Sequence, residues 1–150
     1  MRAIPAPLYA LINTVLGDDP AVVVVNTALR SWTARDAFPW HLRIGIACRG
    51  LGDNGMPTPE ELEVVTRLEN HLVSTVEADG NAVFLARITA RGERVVILRV
   101  HEPEQANDGL QQLLAAPVQL REWEFQMEYD RDWTLARPEL DLPLQDRRAN

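Results

Sequence analysis

One amphipathic helix, predicted over residues 58–80, constrains the fold of this chain more than any other feature. Thr58 suits the N-cap and Pro59 the first helical position, where its missing N–H costs nothing. Glu61 follows Thr58 by three residues and completes the pattern of a capping box. Apolar residues then recur at spacings of three and four, which predicts a stripe that must be buried against another layer. The stripe consists of Leu62, Val65, Leu68, Leu72 and Val76.

Alternating and β-branched segments predict the strands on which this helix lies. The predicted strands span residues 21–25, 42–48, 82–89, 94–101 and 123–129. A second helix is predicted between Pro103 and Pro117. The order of elements favours an α+β fold, a two-layer sandwich with a mainly antiparallel sheet and two helices on one face. Residues 41–130 match the split βαβ, or ferredoxin-like, pattern, with strands added at the N-terminus.

Two segments allow more than one structure. Residues 8–16 have apolar residues at helical spacing, which predicts a short helix. Gly92 suits a tight turn between the strands of the hairpin. A three-residue loop there would place Arg87 and Arg99 on one face of the sheet, whereas a two-residue loop would place them on opposite faces.

Length and charge restrict the class of protein. The 150 residues are 46% hydrophobic, which predicts a single domain over residues 1–137, followed by a polar tail over 138–150. The 22 acidic side chains outnumber the 15 basic ones, and this balance disfavours nucleic acid and anionic lipid as partners. No apolar run reaches the length of a membrane span, so we expect no membrane association. Cys48 has no second cysteine to pair with, which favours a cytoplasmic location.

The sequence offers no convergent set of catalytic or cofactor-binding residues. The segment 50–55 has the spacing of a dinucleotide-binding loop, but Met56 and Pro57 separate its glycines from the helix. Asp53 would also repel phosphate, so we interpret the segment as a loop. Cys48 lies on the apolar side of its strand, where a thiol behaves as a small hydrophobe. We therefore predict no catalytic residue and no cofactor.

The histidines supply an alternative hypothesis, a metal-dependent or other small enzyme. They are His41, His71 and His101, placed on a strand, on the main helix and at a strand end. A metal site needs at least three converging ligands, usually at short spacing, and these residues do not show that spacing. We therefore favour structural histidines and predict no metal site.

Tryptophan and arginine residues are concentrated between positions 30 and 43. The candidate interaction residues are Trp32, Arg35, Phe38, Trp40 and Arg43. Tryptophan and arginine dominate binding hot spots, so this loop is where we predict contact with a partner. The alternative is that its aromatic residues close the core beneath the loop. The favoured function is a non-catalytic protein-interaction or regulatory module with a protein partner.

The sheet face away from the two helices is predicted to be polar. It would place Arg43 and Arg49 near Glu122, Glu124 and Glu128. Exposed ion pairs contribute little to stability, so a solvated face is the simpler interpretation. The alternative is an interface with a partner, or a homodimer formed through this open face.

Four segments together resemble an uncharacterised bacterial family, domain of unknown function 695, over about residues 8–136. They are Val24–Leu29, Trp40–Ile46, Met56–Leu62 and Tyr129–Trp133. The resemblance implies a strand before Val22 that forms a hairpin with residues 22–26, in place of the short helix. The family is also distantly similar to the small protein inhibitors of ribonuclease E. That likeness implies a regulator acting by protein contact.

Overall fold

The computed structural model describes the backbone of residues 3–149 and the side chains of residues 3–145. The described chain forms one six-stranded antiparallel sheet with helices on it, which confirms the predicted α+β class. The strands are β1 Tyr9–Leu16, β2 Asp19–Asn26, β3 Trp40–Ala47, β4 Ala82–Ala90, β5 Glu93–Val100 and β6 Trp123–Tyr129. The α-helices are α1 Pro59–Glu77, α2 Pro103–Leu114 and α3 Arg137–Ala149.

The strands lie in the order β1-β2-β4-β5-β3-β6, and every neighbouring pair is antiparallel. Helix α1 connects β3 to β4, with β5 lying between these two strands. Helix α2 connects β5 to β6, with β3 lying between them. The two edges of the sheet are therefore β1 and β6. The ferredoxin-like description of residues 41–130 stays a prediction.

Helix α1 begins as predicted but uses its first-turn glutamate differently. Thr58 Oγ1 accepts a hydrogen bond from Glu61 N at 3.3 Å, and the stripe from Val65 to Val76 is buried. The Glu61 carboxylate does not close a capping box. It is buried, accepts a bond from Arg49 N at 2.8 Å, and pairs with the Arg121 guanidinium at 2.6 Å. Helix α1 is thereby tied to the chain just after β3 and just before β6.

A second apolar core lies on the opposite face of the sheet. Leu140 of α3 is buried there together with Trp133 and with apolar residues of β2, β4 and β5. Residues 137–149 therefore form a packed helix in place of the polar tail expected over residues 138–150. The two predicted helices, α1 and α2, share the first core on one face of the sheet, as expected, and α3 is an additional helix on the other face. Asp141 and Pro143 separate the leucines of this segment in sequence, yet the second face of the central strands is apolar and requires a covering layer. Helix α3 supplies part of it, over a face predicted to be open.

The structure decides both open alternatives, in favour of a strand at residues 9–16 and of a two-residue loop between β4 and β5. Residues 9–16 form a strand paired along its whole length with β2, so the helical interpretation was wrong and the family-implied hairpin is confirmed. Helical spacing arose there because the strand exposes apolar residues on its solvent face. Between β4 and β5 a two-residue turn places Arg91 at φ 53° and Gly92 at φ 72°. Arg87 and Arg99 consequently lie on opposite faces of the sheet.

Candidate functional site

The predicted interaction segment does not form one surface, because its residues are divided between the two faces of the sheet. Phe38 is completely buried in the second core. Trp32 is half-buried beside it, with ring centroids 5.0 Å apart, and also meets Trp133 edge-on at 6.2 Å. The Trp32 indole N–H donates to Ala3 O at 3.0 Å. These two residues close the core, as the alternative interpretation of the segment predicted.

The two arginines among the candidate interaction residues, Arg35 and Arg43, lie on the same side of the sheet as the second core. The Arg35 guanidinium lies 5.3 Å from the centre of the Trp133 ring, and the Arg35 carbonyl accepts the indole N–H at 2.9 Å. Arg43 is exposed on β3, opposite Gln126 of β6. It borders two adjoining hollows, of about 440 and 270 Å³, beside the first turn of α3.

Those two hollows share Glu139 as well as Arg43. Burial raises the pKa of Glu139 to about 7, and the nearby Arg43 guanidinium opposes that rise. Glu93 borders the larger hollow and Glu128 the smaller one. Arginine and carboxyl groups are mixed in the lining of these hollows, so the lining does not favour a ligand of one charge.

Trp40 faces the other side of the sheet and lines a groove between α2 and β6. The Trp40 side chain is half-buried and meets Tyr129 edge-on, with ring centroids 5.2 Å apart. The groove has a volume of about 650 Å³. Its apolar lining comes from Trp40, Leu114, Trp123, Phe125 and Met127. This is the one predicted interaction residue that the structure places in an open apolar groove.

The strand that borders this groove, β6, lies at the edge of the sheet. Alternate residues of β6 therefore direct their backbone N–H and C=O groups away from β3. Ala47 N donates to Glu122 O at 2.9 Å, and Asp130 N donates to Pro39 O at 2.7 Å. Because backbone direction alternates along an antiparallel pair, residues 122, 124, 126, 128 and 130 face β3. The N–H and C=O groups of the residues between them point to the free edge. These residues are Trp123, Phe125, Met127 and Tyr129.

The groove is acidic at its rim. Glu104 and Asp108 are exposed on α2, and Glu124 is exposed on β6. Within the described chain no basic side chain lines the groove. Arg121, just before β6, is held by Glu61 at 2.6 Å. The other face of β6 carries Glu122 and Glu128 in addition, so the whole edge repels anions and attracts cations.

The histidines lie at separate places. His41 is buried on the second-core face, where its Nδ1 accepts from Arg99 Nη1 at 3.0 Å. Burial, followed by the charge of Arg99, lowers the pKa of His41 to about 4. His101 Nδ1 donates to Ala37 O at 2.6 Å, and His71 is exposed on α1, across the sheet from His41. Among the described residues no group of three or more potential ligands could hold a metal ion. The sheet separates His71 on α1 from His41 and His101, so the three rings do not form one site.

Arg99 has a structural role in the network around His41. It is completely buried, donates to Asp130 Oδ2 at 2.9 Å and to Phe38 O at 3.2 Å, and lies 4.4 Å from the Trp133 ring centre. These bonds join the chain before β3 to the chain after β6. The Asp130 carboxylate compensates the buried charge of Arg99.

The remaining sequence candidates are structural as well. In the loop after β3, Gly52 N donates to Met56 O at 2.8 Å and Gly55 N to Gly52 O at 3.1 Å, so these N–H groups are used within the loop. Cys48 is half-buried, and burial, followed by the charge of Glu61, raises the pKa of its thiol. A raised pKa keeps the sulfur protonated and poorly nucleophilic.

The sequence predicted both β6 and α2 but did not indicate that a groove lies between them. The alternation of aromatic and acidic residues along β6 was visible, but its place at the edge of the sheet was not. Leu114, near the end of α2, is partly exposed in the groove, which the sequence alone does not reveal.

The fold and the groove define a small α+β protein with an open sheet edge beside an apolar, acid-rimmed groove. None of the helices in the described part of the chain combines the length and the hydropathy of a membrane-spanning segment. A model of the family of unknown function (DUF695) matches residues 10–136, and the chain belongs to that family. This match confirms the family resemblance, whereas the distant likeness to inhibitors of ribonuclease E stays a prediction. No curated protein and no solved structure matches the chain.

Proposed function

We propose that this protein is an interaction module that binds an extended segment of a partner protein by strand addition at β6. One observation carries this proposal. The outer backbone edge of β6 runs along an apolar groove, and α2 forms the other side of this groove. Peptide-binding domains that add a strand use this arrangement, in which main-chain bonds give affinity and alternate pockets give specificity.

The charge of the edge indicates the chemistry of the partner segment. Side chains of an added strand alternate between the two faces of the sheet. Those on the α2 side would enter the groove lined by Trp40, Phe125 and Met127, and should be apolar. Those on the other side would lie beside Glu124 and Glu128, and should be basic. Each favourable cross-strand pair contributes about 0.2–1 kcal/mol.

A labelled peptide of alternating valine and arginine tests the proposal, with binding followed by fluorescence anisotropy. The same peptide methylated on its alternate backbone nitrogens is the control, because it keeps the charge but loses the hydrogen bonds to the edge. We expect the unmodified peptide to bind and the methylated peptide to bind at least tenfold more weakly, equivalent to about 1.4 kcal/mol. Equal binding of the two peptides would show simple charge attraction and would refute strand addition.

A pair of variants locates the site. Leu114 in the groove is 37% exposed, and Leu135, on the opposite side of the sheet, is 39% exposed. Leu114→Gln should reduce peptide affinity about tenfold, because it places a polar group in the apolar lining without changing the charge of the edge. Leu135→Gln should leave affinity unchanged. If both variants bind like the parent protein, the groove is not the binding site.

A further inference from the structure

The opposite edge of the sheet, β1, exposes an apolar strip that the described fold leaves uncovered. Tyr9, Leu11 and Val15 are 61%, 65% and 60% exposed. All three project from the α1 side of the sheet, where Tyr9 meets Phe84 edge-on at 6.0 Å. Large apolar side chains grouped on an edge strand are a recognised cause of association.

This edge lacks the features that usually keep edge strands apart. The segment 3–16 contains no charged residue, although the whole chain carries a formal charge of −7. β1 itself contains no proline, and its pairing with β2 is regular over all eight residues. An uncharged strand can approach an identical strand without the repulsion expected between two acidic chains. The β6 edge differs, because Glu122, Glu124 and Glu128 would face their own copies.

The backbone of β1 is suited to pairing with itself. Thr27 N donates to Leu8 O at 2.8 Å, so the even-numbered residues of β1 direct their backbone groups toward β2. The odd-numbered residues direct theirs to the free edge. In an antiparallel pair centred on Ile12, Tyr9 would lie opposite Val15 of the second copy, and Leu11 opposite Asn13. All four outward-facing residues then meet outward-facing residues, as a two-fold interface requires.

We propose that two copies of this chain associate through β1, joining their sheets into one continuous antiparallel sheet. The paired strands would bring the apolar strips of Tyr9, Leu11 and Val15 side by side. A single strand pair buries less than the roughly 800 Å² per partner of a standard stable interface. The dimer is therefore a reversible one, with a dissociation constant on the order of 1–100 µM. This inference is independent of the β6 groove.

Sedimentation equilibrium on the full chain tests it. From about 1 µM to about 1 mM, a range that brackets micromolar affinity, the average mass should rise from 16.9 kDa toward twice that value and stop there. Leu11→Arg should keep the protein monomeric, because it places two charges across the two-fold axis. Val118→Arg is the matched control, since Val118 is 82% exposed in a loop away from β1, and it should dimerise normally.

A second variant separates strand pairing from simple apolar contact. Asn13→Pro removes an outward N–H that β2 does not use, so the monomer should fold while the dimer weakens at least tenfold. Circular dichroism confirms folding of each variant. The proposal would be overturned if the parent protein stayed monomeric at every concentration or assembled beyond a dimer. It would also be overturned if the Leu11→Arg variant dimerised as well as the parent protein. Peptide binding at β6 should persist in Leu11→Arg, so the two proposals fail independently.

Discussion

Glu69 offers a quantitative test of how α1 is held on the sheet, because it is a buried carboxylate shared by two arginines. Its side chain is 2% exposed. Arg94 Nη1 donates to one carboxylate oxygen at 3.0 Å, and Arg87 Nη2 donates to the other at 2.5 Å. Arg94 is itself buried and also donates to Thr89 Oγ1 at 3.0 Å. Loss of the carboxylate charge would leave Arg94 as an uncompensated buried cation.

Glu69→Gln removes that charge with little change in shape. Breaking a buried pair by removing one partner costs about 3–5 kcal/mol. Arg94 keeps its bond to Thr89 and can still donate to the amide oxygen of the glutamine, so we expect the lower end, about 3 kcal/mol. Arg87 is partly exposed and can turn toward water, which adds little to the loss.

Urea unfolding followed by circular dichroism measures the effect. With a slope of about 2 kcal/mol per molar urea, a loss of about 3 kcal/mol lowers the midpoint by about 1.5 M. Glu63→Gln is the control, because Glu63 is exposed on the same helix and should change stability by less than about 0.5 kcal/mol. Adding Arg94→Met to Glu69→Gln should restore much of the loss, since it removes the stranded cation. A loss below about 1 kcal/mol for Glu69→Gln would refute this account of the cluster.

Three further predictions concern pH and backbone conformation. The hydrogen bond from Arg121 is the main cause that lowers the pKa of Glu61 to about 2, so this pair should stabilise the fold fully above pH 4.5, the ordinary value, and lose that effect toward pH 2. The stability difference between the parent and Glu61→Gln, measured by urea unfolding across this range, should shrink as pH falls. Burial raises the pKa of Glu139 to about 7, so ionisation destabilises the fold increasingly between pH 4.5 and 7, and Glu139→Gln should be more stable than the parent above pH 7 but not below pH 4.5. Gly92→Ala should lower the free energy of unfolding by about 1–2 kcal/mol, because φ is 72° there, whereas Gly52→Ala should change it little; equal losses would contradict this explanation.

Local pattern predicted α1 and most strands well. The Thr58 cap and the spacing of the stripe depend on neighbours within a turn or two, so the sequence contains all the information required. The same reasoning failed for residues 8–16, because an edge strand with apolar residues on both faces does not alternate. It failed again for residues 138–150, where burial of Leu140 depends on strands far away in the sequence.

The candidate site was predicted only in part. Trp40 was named as a possible interaction residue and lines the groove, but its neighbours in the segment are separated from it by the sheet. The strand register places Trp40 on the α2 side and Arg43 on the other side. Successive side chains of a strand point to opposite faces of the sheet. Once β3 is known to begin at Trp40, this alternation places Trp40 and Arg43 on opposite faces.

The sequence by itself determined the amphipathic helices, the alternating strands and hence an antiparallel α+β protein, because these depend on periodicities that each segment carries alone. Only the tertiary structure decided which strands lie at the edges, which face α3 covers, and which glutamates are buried. Those outcomes depend on pairing between segments distant in the chain, such as β3 with both β5 and β6. The open edges at β1 and β6, and with them both proposed interfaces, are consequences of that pairing.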